Sequence, residues 1–135
     1  MRTTPERTAT VRSFPAHASI LHEVRRFVRE RAAESALGRA ATDDLVLAAS
    51  EACANAVLHS RSGIIQISWR DGGDSVEVEV VDEGVFLRTI PLQEAEGVHG
   101  HGIQLMMALM DQVTVREGTV GRPGTVVRLV KHRAD

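Results

Sequence analysis

Residues 45–59, LVLAASEACANAVLH, constrain this chain more than any other stretch. Nearly every position is Ala, Val, Leu or Cys, and the polar exceptions are Ser50, Glu51, Asn55 and His59. The segment reads as a helix that is apolar almost all round, which is the pattern of a buried one. Glu51, Asn55 and His59 follow one another at i, i+4 and i+8, so they form one stripe along a single face. A carboxylate and an amide on a buried helix need hydrogen-bond partners, or a cavity that holds water, a metal or a ligand. The stripe is therefore either the solvent face of a surface helix or the wall of a polar pocket.

The rest of the chain supplies what this helix packs against. Residues 1–8 are polar and read as a flexible tail, and 9–135 as one domain, a size that supports a proper core. Residues 9–14 suit a short edge strand, ended by Pro15. An amphipathic helix is expected over 16–37, with Ile20, Leu21, Val24, Phe27 and Val28 as its apolar stripe. Arg25, Arg26, Arg29 and Arg31 then form a solvated face or, as the lesser alternative, a partner surface. Gly38 stops that helix, and Thr42 caps the next with Asp43 and Asp44 in its first turn. Residues 64–70 and 75–81 alternate as strands around the turn Asp71-Gly72-Gly73-Asp74. The 86–99 stretch, with Pro91 and Gly97, lacks periodicity and suits a lid or loop. A third helix is expected over 102–110. Two further strands follow over 112–117 and 125–131, joined by a turn with Gly118, Gly121, Pro123 and Gly124. This is an α+β pattern: a two-layer sandwich with a mixed, mostly antiparallel sheet and about three helices on one face.

Bulk properties remove several function classes. Hydrophobic residues make up 43% and charged residues 25%, a globular composition. The formal net charge of −2 argues against a general affinity for nucleic acid or anionic membrane. With no tyrosine and one tryptophan, Trp69, stacking on bases is not a serious option. No apolar run reaches membrane-spanning length and MRTTPERTAT has no apolar signal core, so a cytoplasmic location is expected. The single cysteine, Cys53, cannot form an internal disulfide and is read as a buried structural thiol.

Several short motifs remain, each with an ordinary alternative. Gly100-His101-Gly102 opens the third helix, where free N–H groups attract phosphate; alone, it is also just a flexible cap. Asp82 ends a strand and precedes Gly84; it can accept from a base's exocyclic amine, or be a turn aspartate. Gly124-Thr125 before the last strand is by itself only a turn. His99 and His101 lack the further ligands of a zinc site.

The order of these pieces is more specific than any one of them. ASEACANAVLHS, VVDEG, GHGIQLMMALMD and GTVVRL resemble, in sequence order, the ATP-binding fold shared by histidine kinases, gyrase, the Hsp90 chaperone and the mismatch-repair ATPase. Within it the match looks closest to the stand-alone bacterial anti-sigma-factor serine kinases, over nearly the whole chain. The resemblance implies that Asn55 ligates a Mg²⁺ bridging the phosphates of ATP and that Glu51 is the general base. It implies that Asp82 and Thr125 read adenine while Gly84 lets the base slide in. Gly100, His101, Gly102 and Ile103 would line the phosphates, with 86–99 as the ATP lid. The implied partners are a sigma factor and an anti-sigma-factor antagonist protein, with no direct nucleic-acid or membrane contact, and the implied assembly is a homodimer. Two positions depart from the pattern: Phe86 stands where a second glycine is usual, and Val98-His99 precede Gly100 where the serine kinases carry an arginine. His99 or Arg88 are the available substitutes. The first reading is therefore a Mg-ATP-dependent serine kinase, and the alternative a non-catalytic ATP-binding interaction module.

Overall fold

The computed structural model describes residues 9–59, 63–82, 100–117 and 124–133. Strand β1 (Thr10–Pro15) leads through a 3-10 turn (Ala18–Ile20) into α1 (Leu21–Glu34) and α2 (Arg39–His59). Strands β2 (Ile64–Asp71) and β3 (Ser75–Asp82) follow, then α3 (Gly100–Leu109), β4 (Gln112–Glu117) and β5 (Thr125–His132). The sheet order is β1-β2-β3-β5-β4. Each neighbouring pair is antiparallel, so β3 and β4 run the same way with β5 between them. The α+β two-layer expectation holds, with antiparallel pairing throughout the described strands.

Alternation builds the sheet's inner face. Ile65, Ile67 and Trp69 of β2 and Val76, Val78 and Val80 of β3 are all buried, while Gln66, Ser68, Glu77 and Glu79 between them are half-buried on the other face. On that outer face Arg128 grips Glu77 with two contacts, Nη2 to Oε1 at 3.0 Å and Nε to Oε2 at 2.9 Å. The helices cover the inner face, and α2 lies at their centre, contacting α1, α3 and strands β2, β3 and β5. Leu45, Ala48, Ala49, Ala52 and Cys53 are fully buried along it. Its small side chains let the backbone lie close to neighbouring elements, so α2 acts as the common floor for everything attached to it.

Two helix starts differ from the expected ones. The α2 helix starts at Arg39, not at Thr42. Thr42 lies inside it, with its N–H on the Gly38 carbonyl at 2.9 Å and its hydroxyl donating back to the Leu37 carbonyl at 3.3 Å. Asp43 and Asp44 therefore lie beyond the first turn and act through ion pairs, Asp43 with Arg29 at 3.3 Å and Asp44 with Lys131 at 3.1 Å. At its other side, α1 begins at Leu21 because residues 18–20 form a tighter 3-10 turn, capped where His17 Nδ1 accepts from the Ser19 N–H at 3.1 Å. Among the described residues no helix is long and apolar enough to cross a membrane.

Candidate functional site

Glu51 and Asn55 lie one turn apart on α2, both half-buried, between the buried side of the helix that carries Ala48, Ala52 and Cys53 and the exposed Leu47 and Leu58. The polar stripe is thus neither a free solvent face nor sealed in the core. Glu51 borders a shallow cleft of about 350 Å³ between α1 and α2, whose lining includes Leu21, Arg25, Arg29, Leu47 and Ser50. Arg25 donates its Nε–H to Ser50 Oγ at 2.8 Å, and Ser50 is otherwise buried. Arg25 and Arg29 are exposed, as a solvated face requires, and also tie α1 to α2. That second role was not legible in the sequence; its only trace is their i, i+4 spacing, which puts both on one side of α1. Among the described residues no ion pair includes Glu51.

Asp82 and Thr125 meet elsewhere, on the inner face of the sheet. They are direct partners across β3 and β5. Asp82 is 3% exposed, an unusual place for a carboxylate. Thr125 Oγ1 is buried with no hydrogen-bond partner. Such an orphaned atom normally costs about 1–3 kcal/mol, so it fits a site completed by a polar ligand. Chemically, an aspartate accepts from an amino group, while a threonine hydroxyl donates to a ring nitrogen. Side by side they complement the amino and ring-nitrogen edge of an adenine. Gly124, just before Thr125, has φ +128°, a backbone that glycine supplies without strain.

The residues expected to line phosphates open α3. Gly100, His101, Gly102 and Ile103 are its first four positions, whose N–H groups have no partner within the helix. The side chain of Ile103 packs against the core, which leaves its N–H as the group to offer. Phosphate there is favoured by the helix dipole and by the close approach that glycine permits. Gly84, Phe86, Arg88, His99 and the remainder of the expected lid lie outside the described residues, as do residues 1–8.

Among the described residues no group of three or more His, Cys, Asp or Glu could hold a metal. A divalent ion at Asn55 would take its other ligands from phosphate oxygens and water, which is the ordinary coordination of Mg²⁺ with a nucleotide. The cleft beside Glu51 includes neither Asn55 nor Asp82 nor Thr125. The candidate residues therefore fall into a cross-strand pair in the sheet, Asp82 and Thr125, a polar pair on α2 and a helix N-terminus. Lys131, which joins two of these elements, was missed by sequence reasoning.

Comparison with known proteins identifies the family. The pattern of the histidine kinase-like ATPase domain matches residues 14–131. Anti-sigma F factors of Thermoanaerobacter sp. (strain X514) and Thermoanaerobacter pseudethanolicus (strain ATCC 33223 / 39E) are each 35% identical over 100 residues, covering 66% of this chain and 68% of theirs. Among solved structures, the RsbU and RsbW domains of a Mycobacterium tuberculosis protein superpose with a TM-score of 0.67 at 22% identity, over 93% of this chain. This chain spans only 32% of that longer one. The SiaB–SiaC complex of Pseudomonas aeruginosa gives a TM-score of 0.64 at 10% identity, over 90% of this chain and 89% of the matched one. At such identities these two structures speak for the fold alone. With the family pattern spanning most of its length, the chain belongs to the histidine kinase-like ATPase domain family and is similar, within it, to anti-sigma factors.

Proposed function

We propose that this protein binds ATP with Mg²⁺ and works as an anti-sigma factor, a protein-serine kinase that phosphorylates an antagonist protein and sequesters a sigma factor. The observation that carries the nucleotide reading is the orphaned Thr125 hydroxyl directly opposite the buried Asp82. In this reading Asp82 accepts from the adenine amino group and Thr125 donates to the ring. The N–H groups of Gly100, His101, Gly102 and Ile103 hold phosphate oxygens, and Gly84 gives the base room. Asn55 offers its amide oxygen to Mg²⁺, which when bound neutralises charge on the phosphates. Glu51, one turn away on the same helix, receives the proton of the attacking serine hydroxyl. Residues 9–135 act as one ATP-binding domain, located in the cytoplasm. Two copies pair through β1, an edge strand of the sheet among the described residues.

A second reading, ATP as a structural ligand of a non-catalytic interaction module, is favoured by Val98-His99 standing before Gly100 in place of an arginine. Calorimetry of ATP binding with and without Mg²⁺, on the wild type and Asn55→Ala, tests the site. The expected result is Mg²⁺-dependent binding that disappears in Asn55→Ala while the melting curve stays close to wild type. Intact affinity in that variant would remove Asn55 from the metal. Kinase chemistry is tested with Glu51→Gln: phosphate transfer to a partner serine should be lost while ATP binding persists. A wild type that binds ATP and transfers nothing leaves the second reading.

A further inference from the structure

Three consecutive residues of β5 hold the end of α3. The Val130 carbonyl accepts from the Asp111 N–H at 2.9 Å, and the His132 N–H donates to Asp111 Oδ2 at 2.7 Å. Between them, Lys131 Nζ donates to the Leu109 carbonyl at 2.6 Å and to Asp44 Oδ2 at 3.1 Å. Lys131 differs from its neighbours in reaching two helices at once. Leu109 ends α3, where carbonyls lack helical partners and a cation is favoured by the dipole. Asp44 belongs to α2. The Lys131 side chain is 18% exposed, so the contact is made mostly out of water.

In the nucleotide reading above, the two helices joined here carry the groups that meet the metal and the phosphates. The α2 helix bears Glu51 and Asn55, and α3 begins with Gly100, His101 and Gly102. Resting on the nucleotide reading above, the geometry points to Lys131 as a positioning residue: its ammonium, through Asp44 and the Leu109 carbonyl, sets the spacing between Asn55 on α2 and the phosphate-binding start of α3. The lever is long. With ten residues, α3 is about 15 Å from end to end. A tilt of about 5° at its base therefore moves its start by about 1 Å. A misplacement of about 1 Å at a reacting or charged group can lower activity about 100-fold. The base-binding pair, Asp82 and Thr125, sits on β3 and β5 and is not on this lever, so the two halves of the ligand should respond differently.

Calorimetry with Mg-ATP and, separately, adenosine tests this on the whole chain, using the wild type, Lys131→Met, Lys131→Arg and Asp44→Asn. Lys131→Met keeps the alkyl stem and removes the charge. It should weaken Mg-ATP by about tenfold or more while adenosine stays within about twofold of wild type. Lys131→Arg, still able to donate to both acceptors, should recover most of the loss, and Asp44→Asn should fall between. Unchanged Mg-ATP affinity in folded Lys131→Met overturns the assignment, and so does an equal loss of ATP and adenosine, which would be mere destabilisation. Should Lys131→Met not fold, Asp44→Asn decides, and a wild-type ratio of ATP to adenosine affinity there is the overturning result. Failure of wild-type protein to bind Mg-ATP would instead sink the nucleotide reading itself, and this inference with it.

Discussion

The Thr125 hydroxyl gives up water on folding and gains no partner in return. In the ligand-free chain that is a net loss, of about 1–3 kcal/mol if the atom stays wholly unpaired. Thr125→Val keeps the branched shape and removes the polar atom, so its effects on folding and binding should run in opposite directions. We expect a more stable protein, by about 1 kcal/mol, that binds ATP about fivefold more weakly or worse. Thermal melts and calorimetry on the same preparation check both halves. A variant that melts lower and binds ATP normally would mean that the hydroxyl serves the fold. Sequence order pointed to Thr125 because Gly-Thr precedes the last strand. Its burial and its place opposite Asp82 depend on the β3–β5 register, a pairing between distant segments that no local pattern encodes.

Element ends are tied together at the far side of the molecule by Arg133. Its Nη1 donates to the Ser35 carbonyl at 2.7 Å, its Nε to the Gly73 carbonyl at 2.6 Å and its Nη2 to Asp71 Oδ2 at 2.8 Å. One side chain thus joins the exit of α1, the β2–β3 turn and the end of β5. Burial pushes the Asp71 carboxyl up. The Gly73 N–H, the Ser35 side chain and the Arg133 guanidinium outweigh it and hold the group below its ordinary value. The folded chain therefore favours the ionised form more than the unfolded chain does. The resulting stability is present above the unfolded pKa of about 3.9 and is lost as pH falls through the lower folded value. Melting wild type and Asp71→Asn from pH 7 to pH 2.5 should show a wild-type advantage near neutrality that narrows below about pH 4. A constant gap would assign the effect to packing. The Asp71-Gly72-Gly73-Asp74 turn was legible from its residue types, as were the helices and strands from their 3.6- and two-residue periods. The start of α2 was not, because Thr42, Asp43 and Asp44 are good capping residues at positions that tertiary pairing with Arg29 and Lys131 uses otherwise.

Across the whole molecule, the two-layer architecture was readable because β2 and β3 each keep one apolar face, α1 keeps one apolar stripe and α2 is apolar almost all round. The insertion of β5 between β3 and β4 was not, since it follows from which edges meet after α3 has crossed the sheet. The consequence converges on α2, which contacts α1, α3 and strands β2, β3 and β5, and on Cys53, which is 0% exposed within it. Burial pushes this thiol up to about 12. An unfolded cysteine ionises near about 8.5, so the folded chain keeps a proton that the unfolded chain gives up. Stability from this group is complete below that pH and is lost as pH rises toward the folded value. No thiolate is available in the native state at pH 8, and reaching Cys53 requires α2 to separate from the helices beside it and the sheet beneath it. Labelling with a disulfide reagent should therefore track global unfolding. Its rate should rise with urea along the same slope as the loss of circular dichroism, and it should accelerate on going from pH 8 to pH 10 as unfolding becomes easier. Labelling insensitive to urea would instead reveal a local opening of α2, and the helix bearing Glu51 and Asn55 would then be a mobile part of the site.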